Sequence, residues 1–193
     1  MTAPQDASVL SGGFVEPAVQ SAHAFRALLA AMARPGTMQT VTGAQPPAPL
    51  SVAAGVALLT LADPTVPVHL AGAADTEAVR AWIAFHCGAP LVAAESAAIA
   101  LGTWDALQPV SRFSMGLPDY PDRSATLIVE LPALTASGAH LRGPGIRDRA
   151  ELSLPETAAF IANRARFPLG FDCLFTSGST LAALPRSTIV ENA

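Results

Sequence analysis

The run Leu141-Arg142-Gly143-Pro144-Gly145-Ile146, followed by Arg147 and Arg149, carries the residue types that hold an oxyanion. Glycine lets backbone N–H groups approach the anion, and guanidinium forks grip it bidentately. The chemistry on offer is phosphate or phosphonate binding. The same residues also make an ordinary hairpin turn with solvated arginines, because Gly-Pro-Gly is common turn chemistry.

Other reactive types are scattered. His23, His69, His86 and His140 lie far apart and lack the i, i+3 or i, i+4 spacing of helical metal ligands, so no metal site is expected. His86 stands out singly, because it ends a helical stretch where the dipole favours an imidazolium; a packed core histidine is the plainer reading. Its neighbour Cys87 is a poor nucleophile partner, since adjacent helical side chains point about 100° apart. Cys87 and Cys173 are the only cysteines, and they read as buried small hydrophobes. No Gly-x-Ser-x-Gly elbow occurs, and Ser177-Gly178-Ser179-Thr180 reads as a hairpin turn. The residues assign no catalytic group.

Composition narrows the classes further. All 11 basic residues of the 193 are arginine and none is lysine. The chain therefore has no amine for a pyridoxal phosphate Schiff base or a P-loop, and no cofactor is expected. A net charge of −4 with 13% charged residues excludes a nucleic-acid footprint. The uncharged run from 35 to 62 is broken by Pro35, Pro46, Pro47 and Pro49. Its apolar remainder, 48 to 62, is too short to cross a hydrocarbon core of roughly 30 Å. No signal-peptide pattern precedes Arg26, so a cytoplasmic location is expected. With 51% hydrophobic residues and few charges to cover a surface, the chain is expected to form subunit interfaces.

The elements that must position these residues follow from periodicity. Residues 1 to 16 read as a flexible arm, and 17 to 193 as one domain. Pro17 opens a helix whose apolar residues recur to Met32 before Pro35-Gly36 stops it. Ser51 caps a helix to Leu61 that is apolar all round; Asp75 or Thr76 caps another ending at His86. Strands are expected at 66 to 71, 90 to 93, 99 to 102, 125 to 131, 139 to 142, about 149 to 153, 172 to 176 and 181 to 184. A short β-like piece at 37 to 42, a helical turn at 104 to 107, a long loop at 109 to 123 and a helix from Pro155 to about Ala165 complete the reading. Helices alternating with strands are the α/β signature.

Several segments together resemble one family. Phe25 to Met32 running into Pro35-Gly36, Leu58 to Asp63, Phe85-His86 with Ala89 to Leu91, and Ser124 to Ile128 come first. Leu141 to Ile146, Phe167 to Gly170 with Asp172, and Ala183 to Thr188 follow in order. In that order and spacing they resemble the PhnH subunit of the bacterial carbon-phosphorus lyase system, over roughly residues 17 to 190. The resemblance implies a mixed, mostly parallel sheet flanked by helices, similar to the large domain of pyridoxal phosphate-dependent transferases, and a homodimer. It also implies work with the PhnG, PhnI, PhnJ and PhnL proteins in moving a ribose triphosphate from ATP onto an alkylphosphonate, with release of adenine. It implies no catalytic residue. Arg26, His86, Arg142 with Gly143 and Gly145, and Arg186 are the candidate anion or subunit contacts. A stand-alone phosphate- or phosphonate-binding protein or small-molecule enzyme using the Arg142 to Arg149 loop is the alternative.

Overall fold

A computed structural model describes residues 11–193. In chain order these form α1 (Pro17–Ala33), β1 (Gln39–Thr40), α2 (Val52–Leu61), β2 (Val68–Leu70), α3 (Glu77–His86), β3 (Ile99–Thr103), β4 (Met115–Leu117), β5 (Tyr120–Ser124), β6 (Thr126–Glu130), β7 (Ala139–Arg142), β8 (Ala150–Leu152), α4 (Ala158–Arg164), β9 (Asp172–Ser177), β10 (Thr180–Leu184) and β11 (Ile189–Glu191). The central sheet has the order β1-β10-β9-β6-β3-β2. β2, β3, β6 and β9 run parallel, whereas β10 is antiparallel to both β9 and β1. This is the expected mixed, mostly parallel α/β sheet.

The two-residue period of a strand sorts its side chains into two cores. Leu70, Leu101, Ile128 and Leu174 face a layer made by α1, α2 and α3. Leu127, Val129, Cys173 and Phe175 face the opposite layer, made by α4, the residues around Trp104 and Phe113, and a small sheet of order β11-β7-β8. Both faces of β6 and β9 are covered, which explains their nearly continuous apolar sequences.

Local signals account for the helix starts. The Ser51 hydroxyl accepts the Ala54 N–H at 3.1 Å, and the Thr76 hydroxyl accepts the Val79 N–H at 3.2 Å. α1 has no side-chain cap and starts instead on Pro17.

Several details differ from the expectation. The arm at 1 to 16 lies partly outside the described residues, but from Ser11 the chain lies on the domain: Gly12 accepts the Gln45 N–H at 2.8 Å and Phe14 packs against the helical core. The long loop at 109 to 123 contains the β4–β5 hairpin, with an irregularity between Met115 and Leu117 where Gly116 has φ +83. The strand at 90 to 93 reduces to one parallel bridge, Leu91 to Val68. α4 begins at Ala158 rather than Pro155, and β11 is an additional strand, paired with β7. No helix among the described residues is long and apolar enough to cross a membrane.

Candidate functional site

Open α/β sheets bind ligands outside the carboxyl ends of their strands, where the strand order reverses. From β2 the chain moves outward to the Leu91 bridge, then returns past β2 to β3, β6 and β9. Between the ends of β2 and β3 the crevice is closed: a Cβ on Gly72 would meet Ala106 at 2.7 Å, and one on Gly102 would meet the Ala71 carbonyl at 2.9 Å. An open cleft of about 230 Å³ lies just outside it, lined by His69, Leu70, Asp75, Arg80 and Leu91 to Ala93.

Three groups give this cleft its chemistry. His69 Nδ1 lies 3.0 Å from the Val92 carbonyl, which can only accept, so Nδ1 donates a hydrogen bond there. Arg80, on the first turn of α3, grips Asp75 through Nε at 2.5 Å and Nη2 at 2.6 Å. The Arg80 hydrogen bond holds the Asp75 carboxyl below its usual range against the opposing effect of burial, with smaller help from the charges of Arg80 and His69. The cleft thus sets an imidazole beside an internally balanced ion pair. Sequence reasoning missed it, because its residues come from a strand, a turn, a helix and a one-residue bridge; only the spacing of Asp75 and Arg80 across the helix start was visible beforehand.

Further along the same edge, the N-terminus of α2 is a natural anion site. Its anion is supplied by the chain itself: the Ser51 N–H donates to Glu130 Oε1 at 2.6 Å, and the Thr176 hydroxyl donates to Glu130 Oε2 at 3.0 Å.

The amino ends of β6 and β9 are closed by the second carboxylate, Asp172. Arg186 meets it through Nε at 3.1 Å and Nη2 at 2.5 Å, and the Arg186 backbone N–H reaches it at 2.7 Å. Arg186 Nη1 donates to the Pro121 carbonyl at 2.7 Å, and Nη2 also donates to the Ser124 hydroxyl. With side chains only 13% and 18% exposed, Arg186 and Asp172 form an internal tie. It joins three of the segments that carried the family resemblance.

The remaining candidates lie elsewhere. Arg26 is exposed on α1 and has no ion pair among the described residues. His86 stacks beside Trp82 and Phe85, with centroids 5.1 and 4.8 Å away, and its Nε2 lies 3.3 Å from the Ser11 carbonyl. That carbonyl also accepts the Trp82 indole N–H at 3.1 Å, so His86 helps to seat the start of the domain. Arg142, 58% exposed, pairs with Glu191 at 3.6 Å; Arg149 pairs with Glu151 at 2.7 Å and Arg147 with Asp148 at 3.6 Å. Gly143 and Gly145 have φ +124 and +81, and Gly145 sits against the Ala33 carbonyl at the end of α1. A helix C-terminus is the negative end of its dipole and repels an anion. Each arginine of the loop therefore faces a carboxylate, and one glycine serves a close approach.

Neither cysteine is poised for nucleophilic work. Burial pushes the Cys87 thiol up to about 11, and burial followed by the charge of Asp172 pushes Cys173 well above its ordinary value. Among the described residues no group of three or more His, Cys, Asp or Glu could hold a metal ion. The sequence holds no lysine side chain, the usual anchor of pyridoxal phosphate.

Comparison with known proteins gives one consistent answer. The family described as bacterial phosphonate metabolism protein (PhnH) matches residues 12–191. A relative from Rhizobium meliloti (strain 1021), the alpha-D-ribose 1-methylphosphonate 5-triphosphate synthase subunit PhnH, is 38% identical over 192 residues, covering 95% of this chain and 96% of its own. With a match running from the first described turn to the last strand, the chain belongs to the PhnH family of bacterial phosphonate metabolism proteins.

Proposed function

We propose that this protein is an accessory, non-catalytic subunit of a carbon-phosphorus lyase complex, supporting transfer of ribose triphosphate from ATP to an alkylphosphonate with release of adenine. The end-to-end similarity to a synthase subunit carries the reading, since each chain covers almost all of the other. The geometry supports a scaffold role: Arg186 is consumed by an internal tie, Glu130 fills the α2 terminus, and both thiols are buried. Its partners are the PhnG, PhnI, PhnJ and PhnL proteins, it pairs as a homodimer when isolated, and it acts in the cytoplasm without a Schiff-base cofactor. The single reversed strand of the sheet is in keeping with a relation to the large domain of pyridoxal phosphate-dependent transferases.

A stand-alone anion binder built on the Arg142 to Arg149 loop is disfavoured by the carboxylates that already face Arg142, Arg147 and Arg149. Deletion of the gene is expected to abolish growth on methylphosphonate as sole phosphorus source, with restoration by the intact gene. Normal growth of the deletion strain would overturn the proposal.

A further inference from the structure

The outward side of α1 is unusual for a surface helix. Ala24, Leu28 and Ala31 face the core. A surface helix ordinarily turns charge to the other side. Here that side presents Val19, Phe25 and Leu29, each half or more exposed, with Val15 before the helix at 87% and Met38 after it at 40%. Ala18, Ala22 and Ala33 are exposed between them. At 100° per residue, Val19, Ala22, Arg26, Leu29 and Ala33 of α1 fall on one stripe about 20 Å long, with Phe25 at its flank. Apolar groups scattered singly on a surface need no explanation, but a contiguous stripe marks a contact.

Arg26 sits near the middle of that stripe, and among the described residues no carboxylate meets it. Its position disfavours one symmetric occupant. A second copy docked about a two-fold axis at the helix centre would bring Arg26 against Arg26, desolvating two like charges together. A different chain with a carboxylate opposite Arg26 pairs the charge and covers the apolar groups. Resting on the reading of the protein as a complex subunit, we propose that the outward face of α1 receives an amphipathic helix of another subunit, apolar toward α1 with an Asp or Glu set against Arg26.

The test uses the full chain co-expressed with the PhnG, PhnI and PhnJ proteins of the same organism. The wild-type chain is expected to co-purify with them, and hydrogen exchange of the α1 amides to slow in the assembly. Arg26→Glu, and Val19→Ser combined with Leu29→Ser, are expected to weaken association at least about thirtyfold, with melting and circular dichroism unchanged. Ile161→Ser on α4, across the sheet, is expected to bind as the wild type does. If the α1 variants associate normally while the wild-type chain also does, the docking surface is wrong and the subunit role stands. If the wild-type chain does not associate, the subunit role itself falls. A dimer of the isolated chain that Leu29→Ser dissociates, with unchanged binding of the other subunits, would assign the face to a second copy and overturn the proposal. Should a variant unfold, exchange in the wild-type assembly decides: unprotected α1 amides overturn it.

Discussion

Helices α1 and α2 pack on each other and are both rich in alanine and leucine, yet the chain treats them differently. Ala53 through Leu58 of α2 are all buried, enclosed by the sheet and α1, with the 46 to 50 loop so close that a Cβ on Gly55 would meet Pro46 at 2.6 Å. α1 is apolar on both sides but buries only one. Helix composition alone therefore does not tell core from interface. What differs is whether the chain supplies a second layer, and for α1 it does not.

The contrast can be broken by making the same change in both settings. The largest effect is expected for Arg186→Ala, about 3–5 kcal/mol by denaturant unfolding, because Asp172 is left with its charge largely buried and unpaired. The partner comparison is Arg26→Ala, below. Next comes Leu58→Ala in α2, where a fully buried side chain leaves a cavity; about 2–5 kcal/mol is expected from the same measurement. Ser51→Ala should remove the α2 cap and cost about 1 kcal/mol.

A pH arm sharpens the picture of what lies beneath α2. Cys87 Sγ sits 3.8 Å from the Leu58 carbonyl, and the folded state keeps its proton up to about 11. The unfolded thiol ionises near 9.0. Its contribution is therefore intact below that value and is lost as pH rises from there toward about 11. Cys87→Ala should flatten that limb of the stability profile, and alkylation of the native protein at pH 8 should be slow until it unfolds. The smallest effects belong to α1: Leu29→Ala and Arg26→Ala are each expected to change the stability of the isolated chain by about 0.5 kcal/mol or less. A loss at Leu29 as large as that at Leu58 would erase the distinction between the two helices.

Much of the scaffold was legible because its signals are local. Ser51 and Thr76 cap helices through hydroxyls three residues from the N–H groups they accept. The short apolar runs within Thr126 to Glu130 and Asp172 to Ser177 already placed two central strands. The β4–β5 hairpin was obscured by Gly116, Pro118 and Pro121, which read as loop residues until pairing gives them a register. The His69 cleft was illegible for a different reason. Its Val92 partner is 23 residues away and joins the sheet edge through a bridge at Leu91 alone.

By itself, the sequence determined the chemistry available: arginine without lysine, two isolated thiols, caps, strand periods and a family pattern spread along most of the chain. Tertiary structure decided how those groups are used. Arg186 became an internal tie because Ser124 and Pro121, more than 60 residues earlier, are brought to it at the amino ends of the strands. Arg142 became a surface pair and Arg26 the lone charge on an apolar stripe. A guanidinium is the same group at all three positions. Its role depends on which acceptors surround it and how much water they exclude, and both are set by contacts between residues distant in the chain.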